Sequence, residues 1–319
     1  MKNIQETKDK DPQRGHLSGN FIKSLNGEGK FAYYKDIIEF VRNDNDLDIQ
    51  VRDNYFNIYY HGGNILRLGP QSQQFDKFYF YTKKEYGKEM KHKTHLEQIA
   101  KGERDGNKKD ANNIINKLNN KAKNLIIKLR TSPDDYFKEA KDVMDKWFED
   151  NPNQERKDQQ EITLANRTFS SDNDLVIIDI EFAVSTKKSY NKAKNKKGKE
   201  KVCRFDMIAV DRTGQLYVIE LKQNPGADSE DNTSNMKVHK EDFDNTVGKD
   251  INNDFAKEMK GIVNLKKKLH IFGDEVKVDV SKKPIFVGVY SEENGESVTK
   301  HWIDLGIQVL NYKNYKLSL

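Results

Sequence analysis

The 319-residue sequence holds one cysteine, Cys203, and six prolines. A lone thiol can neither close an intramolecular disulfide nor build a cysteine zinc cluster, so a reducing, cytoplasmic setting is expected. No apolar run approaches the ~20 residues that span a bilayer, and the opening MKNIQETKDKDPQRG lacks the apolar core of a secretion signal. A membrane partner is therefore not expected. There is no GxxxxGK[ST] phosphate loop, which argues against nucleotide-driven movement, and no internal repeat. His61, His92 and His95 have no matching acid or cysteine frame and read as surface or turn histidines.

Charge is what the chain has in abundance: 34% of residues are Asp, Glu, Lys or Arg, with a net charge of only +5. The base is clustered, which favours polyanion binding more than the total does. Hydrophobic residues at 35%, of which aromatics supply 10%, suffice for real cores, and the length suits two domains.

Residues 1 to about 30 read as an ill-ordered polar leader. Helical spacing follows from Phe31 to Arg42, then strand patterns at Leu47–Val51, Tyr55–Tyr60, Ile65–Leu68 and Phe75–Tyr81, giving a small antiparallel sheet. The aromatics of that sheet fit a packed core better than a base-stacking platform. Residues 87 to 130 read as a basic helical region, and Ser132-Pro133 starts a further helix to about Glu149. Asn151-Pro152-Asn153 marks the expected boundary between an N-terminal domain, 1–150, and a second domain, 151–319.

The second domain centres on KVCRFDMIAVDRTGQLYVIELKQ, residues 201–223: two apolar strands joined by a turn at Asp211–Gln215 that contains Gly214. Alternation puts Glu220 and Lys222 on one face of the second strand, and a suitable register brings Asp206 to Glu220. Two carboxylates near one point suit a hard divalent cation such as Mg²⁺. Lys222 beside it can orient or deprotonate water, or offset charge on a phosphoryl group under attack. Acid-x-base triplets are cheap here, since 51 acids and 56 bases over 319 positions give about nine by chance. This one, however, lies inside the apolar run YVIEL, where ionisable groups cost free energy unless they are paired or bind metal.

The series RFD, fourteen positions from Asp206 to Glu220, and then ELK resembles the PD-(D/E)xK nuclease superfamily, with Phe205 in place of the proline. The resemblance covers less than half the chain, about Gln154 to Tyr290. It implies an α+β or α/β fold with a restriction-endonuclease-like core, a central mixed sheet flanked by helices, beside the small N-terminal sheet and its helices. It also implies a Mg²⁺- or Mn²⁺-dependent endonuclease acting on nucleic acid, DNA before RNA, in a restriction, mobile-element or phage-defence setting. A homodimer is the arrangement this fold uses to cut two strands. On the first core helix, Gln154–Asn166, the resemblance gives Glu155, with Gln159 on the same stripe, a supporting role, and Glu161 is the second choice. On a later helix it gives His239 and Asp242 that role. The alternative is a nuclease-fold module that binds nucleic acid or a protein partner without cutting.

Strand Leu175–Val184 carries Asp179 and Glu181, which alternation puts on one face. A register with Glu181 beside Asp206 makes Glu181 a third metal-site acid. The loop STKKSYNKAKNKKGKEK, residues 185–201, holds eight lysines and one glutamate. It reads as extended and solvated, with Lys192, Lys194, Lys196 and Lys197 as backbone contacts of no sequence preference. A long helical region is expected from Met236 to His270, a short strand at Val276–Val280, a buried strand at Pro284–Tyr290 and an edge segment after Tyr312.

Overall fold

The computed structural model describes residues 14–71, 73–74, 93–150, 154–195, 197–222, 235–291 and 295–319. The chain divides into two compact units. One comprises Leu17–Gln50 and Asn54–Gln160; the other takes residues 1–16, 51–53 and 161–319. Along the main chain the change from the first to the second falls within a helix, between Gln160 and Glu161.

The first unit carries a four-stranded sheet in the order β1 (Leu47–Val51), β2 (Phe56–Tyr60), β3 (Gly63–Leu68), β4 (Gln73–Gln74), with β2 and β3 antiparallel, as are β3 and β4. Its helices are α1 (Gly19–Leu25), α2 (Tyr34–Asn43), α3 (Lys93–Lys101), α4 (Lys108–Thr131), α5 (Pro133–Asp150) and the first part of α6 (Gln154–Ala165). Phe56, Tyr59 and Tyr60 are buried, as the core reading of the aromatics requires. The expected strand Phe75–Tyr81 lies outside the described residues. The basic region expected to be helical from 87 to 130 is broken after Lys101, and α4 starts afresh where the Asn107 side chain accepts the amides of Lys109 and Asp110. The start of α6 is fixed to the β2–β3 turn: the Gly62 amide donates to Gln160 Oε1, and Gln160 Nε2 donates to the Asp46 carbonyl at 2.7 Å.

The second unit is built on a six-stranded mixed sheet in the order β10-β9-β8-β7-β6-β5. Strands β5 (Leu175–Val184), β6 (Cys203–Asp211) and β7 (Leu216–Lys222) form an antiparallel meander. Then β8 (Ile285–Ser291) joins β7 in parallel, β9 (Gln308–Lys313) joins β8 in parallel, and β10 (Lys316–Leu317) returns antiparallel at the edge. The sheet curls until its edges approach, for the Asp174 amide donates to the Leu317 carbonyl at 3.2 Å. All seven residues of β7 are buried, which for its apolar side chains contributes about 1.5–3 kcal/mol each.

Helix α7 (Met236–Asp244) starts at Asn235, whose side chain accepts the Val238 amide at 3.0 Å. It runs into a short 3₁₀ turn, Val247–Lys249, before α8 (Asp254–Lys268). The single long helix expected from Met236 to His270 is thus two helices, divided at Asn253, which adopts φ 55°. Helix α9 (Gly295–Asp304) precedes β9. Residues 276–280 form no ladder, although Val276 and Val278 are buried: alternation here reflects packing alone. Nor is the leader wholly loose, since Arg14 is engaged in the second unit, as shown next.

Candidate active site

The hairpin of β6 and β7 is set by its turn. Asp211 Oδ1 accepts the amides of Thr213 and Gln215 at 2.8 and 2.9 Å, and Gly214 takes φ 85°. A Cβ on Gly214 would lie 2.8 Å from the Asp279 amide nitrogen, so glycine is required for space as well as for conformation. The turn fixes the register Met207 to Ile219. One residue further along, Asp206 lies opposite Glu220, and Asp206 Oδ2 accepts the Leu221 amide at 2.9 Å.

Glu220 and Lys222 share a face of β7 and are 2% and 8% exposed, burial that ionised side chains tolerate only with partners. Lys222 Nζ donates to Glu220 Oε1 at 2.9 Å. His239 of α7 brings Nε2 to within 2.9 Å of the same oxygen. Burial pushes the Glu220 carboxyl up, but His239 and the Lys222 ammonium more than offset this and hold it below the usual carboxylate range. The second oxygen, Oε2, and both ring nitrogens of His239 are buried with no hydrogen bond of good geometry among the described residues, so Nε2 lies close to Oε1 without being aligned to donate to it. An orphaned buried acceptor is rare in folded proteins and marks a place where a cation or a water is missing.

The approach of α7 depends on Gly288 of β8, which lies beside Glu220 in the parallel register. A Cβ there would meet Trp302 Cε3 of α9 at 2.6 Å and Met236 Cε of α7 at 3.0 Å. Sequence reasoning missed Gly288; a lone glycine inside the apolar run PIFVGVY is the signal of close approach that could have found it.

On β5 the alternation argument fails. The β5–β6 register shifts between Ile177 and Asp179, and Glu181 adopts φ 47°, a left-handed conformation inside a strand. Asp179 is fully buried and is not a site acid. Arg14 donates to its Oδ2, and Arg52 Nη1 donates to its Oδ1 at 2.5 Å. Burial pushes Asp179 up, yet Arg14, Arg52 and Lys266 together hold it low. Glu181 does fall opposite Asp206, because Ile180 pairs with Met207 and Phe182 with Phe205. Its carbonyl accepts from Arg14 Nη2 at 3.5 Å.

The other expected residues divide. Asp242 pairs with Lys201 at 2.5 Å and stands beside Cys203, while His239 alone of the two reaches Glu220. Glu155 and Gln159 belong to the first unit, the former exposed and the latter buried, and Glu161 opens the second. Lys192, Lys194 and Lys197 are exposed, and Lys196 lies outside the described residues. Their loop is not extended as the charge density predicted, because asparagine side chains and ion pairs at its base hold it folded.

Among the described residues no group of three His, Cys, Asp or Glu stands ready to hold a metal ion. Mg²⁺ commonly takes only one or two protein carboxylates, with water and phosphate oxygens in the rest of its shell. The orphaned Oε2 of Glu220, on the strand whose Leu221 amide Asp206 accepts, fits that smaller demand. Among the described residues, no helix is long and apolar enough to cross a membrane. Compared with family models, curated proteins and solved structures, the chain finds no match.

Proposed function

We propose that the protein is a divalent-cation-dependent nuclease of the PD-(D/E)xK kind, hydrolysing phosphodiester bonds of nucleic acid, with DNA the first candidate. The observation that carries this reading is that Asp206, one residue beyond the Met207–Ile219 pair, accepts the amide of Leu221 next to Glu220, with Lys222 on Oε1 of Glu220. The order helix, three antiparallel strands, helix and parallel strand supports the same reading. A polyanion binder gains nothing from a buried carboxylate with an unmet acceptor, whereas a cation site does.

Asp206 and Glu220 would hold Mg²⁺ or Mn²⁺, with Glu181 assisting from β5. Bound there, the cation would supply Lewis-acid stabilisation of charge that builds on the phosphoryl group. The protein's own part is positional and electrostatic. The Leu221 amide holds Asp206, and Lys222 holds Glu220 by one oxygen, beside which His239 Nε2 lies at 2.9 Å; the other oxygen has no partner among the described residues. Lys222 keeps an ammonium in a setting shielded from water, where its charge acts on a phosphate far more strongly than it would in bulk solvent.

The alternative, a nuclease-fold module without chemistry, draws on one observation: Oε1 of Glu220 already has two nitrogen neighbours, Lys222 Nζ and His239 Nε2, at 2.9 Å. One experiment decides. Purified protein is incubated with supercoiled plasmid, linear duplex, single-stranded DNA and RNA, each with Mg²⁺, Mn²⁺ or EDTA. Cleavage of at least one substrate with metal and none in EDTA is expected. Cleavage undiminished in EDTA, or none under any condition, sinks the proposal.

A further inference from the structure

The loop between β5 and β6, residues 185–201, is a built object. Asn191 closes it at the base: its Nδ2 donates to the carbonyls of Val184, Ser185 and Lys201 at 3.1, 3.2 and 3.0 Å, and its Oδ1 accepts the Ala193 amide at 3.0 Å. Asn195 closes it at the tip, where its Oδ1 accepts the amides of Lys197 and Lys199 at 2.9 and 3.1 Å and Gly198 turns the chain at φ 72°. An isolated bridge between Lys194 and Glu200 joins the two arms.

The lysines sort into two kinds. Lys188 is buried against Glu258 of α8 at 3.0 Å, and Lys201 pairs with Asp242 of α7 at 2.5 Å. These two fasten the loop. Lys192, Lys194, Lys197 and Lys199 are exposed and make no ion pair among the described residues. A loop that needed only to be soluble would not require fixed arms.

Its position is also set. The Lys192 amide donates to the Asn245 carbonyl at 2.8 Å, at the end of α7, while His239 on the same helix touches Glu220. Six residues separate His239 from Asn245, about 9 Å along the axis. A strand of duplex nucleic acid advances about 3.4 Å per phosphate along the helix axis, so the two points lie within a few phosphates of one another on a bound strand.

We propose that this hairpin is a preset grip for the sugar-phosphate backbone flanking the cleavage point, with Asn191 as the positioning residue; only where the strand leads, towards Glu220, rests on the nuclease reading. Lysine reads phosphate as a point charge, so the grip sets distance from the site and carries no sequence preference.

The test is binding in EDTA, which is independent of cleavage. The full chain is titrated by fluorescence anisotropy with a labelled oligothymidylate and a labelled short duplex over a sodium chloride series, with poly-L-glutamate as competitor. Replacing Lys192, Lys194, Lys197 and Lys199 together by Gln should flatten the log–log salt slope by about three and weaken binding about tenfold or more. Asn191→Ala keeps every charge, so the slope should stay while affinity falls about three- to tenfold, the loop's ordering now being part of binding. Lys201→Met, which unties the loop from α7, should do likewise if Asn191→Ala fails to fold. An unchanged slope in the quadruple variant overturns the proposal. So does parental affinity in both positioning variants, or tighter binding to poly-L-glutamate than to either DNA, which would make an acidic protein the partner. An unchanged slope in the quadruple variant of a protein that does cut overturns this inference alone; a loop-dependent slope in a protein that never cuts overturns only the nuclease reading.

Discussion

Asp206 accepts the backbone amide of Leu221 at 2.9 Å, so the acid of one strand is fastened to the residue that separates Glu220 from Lys222 on the next. That bond divides the role of Asp206 into a structural half and a charged half. Asp206→Asn keeps an acceptor for the amide and removes the charge, and it should melt close to the parent while losing metal-dependent cleavage by a hundredfold or more. Asp206→Ala should lose the same activity and in addition about 1 kcal/mol of stability for the orphaned amide. Cleavage assays beside thermal melts check both. Parental cleavage by Asp206→Asn would remove the acid from the site.

The cluster on β5 predicts a stability effect without chemistry. Asp179→Asn leaves Arg14 and Arg52 buried together with no anion and should cost about 3–5 kcal/mol, read by urea denaturation. The sign with pH follows from the lowered carboxyl. A group held below its unfolded value contributes fully above about pH 4 and loses its contribution as pH falls through the folded value. The gap between parent and Asp179→Asn should therefore close in acid, and a gap constant from pH 7 down to pH 2 would refute the assignment.

The hairpin was legible in the sequence because its determinants are local: alternation over seven residues, Asp211 and Gly214 at the turn, and a register that the turn alone fixes. The bounds of β5 were legible for the same reason, whereas the helix breaks after Lys101 and before Asp254 were not. The two arginines on Asp179 were not legible because they lie 165 and 127 residues away, and nothing in LVIIDIEFAV points to them. Glu181 stands in the expected register opposite Asp206, between the Ile180–Met207 and Phe182–Phe205 pairs, but its left-handed backbone has no signal in the sequence. The lysine loop was read as extended because its composition outweighed two asparagines, yet satisfied asparagine hydrogen bonds and two ion pairs hold it folded.

Turn geometry gives a prediction away from the charges. Gly214→Ala must place a Cβ 2.8 Å from the Asp279 amide nitrogen in a left-handed backbone, and should cost about 1–3 kcal/mol. Because the turn sets the register of Asp206 against Glu220, cleavage should fall more than stability does. Equal stability of Gly214→Ala and parent in denaturant would show that the turn relaxes freely.

Cys203 is expected to be inert. Burial, with the Asp242 carboxylate beside it, pushes its thiol up to about 12, and the residue is 1% exposed. At pH 8 the folded protein should resist alkylation by iodoacetamide, and the protein in urea should react within the usual time of a free thiol. Rapid labelling of the native protein would mean that the start of β6, where Cys203 pairs with Val184, opens.

Lys222 separates catalysis from scaffolding most sharply. Its ammonium lies 2.9 Å from Glu220 Oε1 and cannot itself ligate a cation. Lys222→Met keeps the stem and removes the charge, so divalent binding should be preserved or strengthened while the cleavage rate falls about a hundredfold or more. If the lysine serves only as counter-ion, its loss leaves the buried Glu220 without its ammonium partner and should cost about 3–5 kcal/mol without metal, a loss that Mg²⁺ would restore. Thermal melts with and without Mg²⁺, read beside the rate, distinguish the two. A Lys222→Met protein that melts normally and cuts at the parental rate would take the lysine out of the mechanism and leave the acids to carry it.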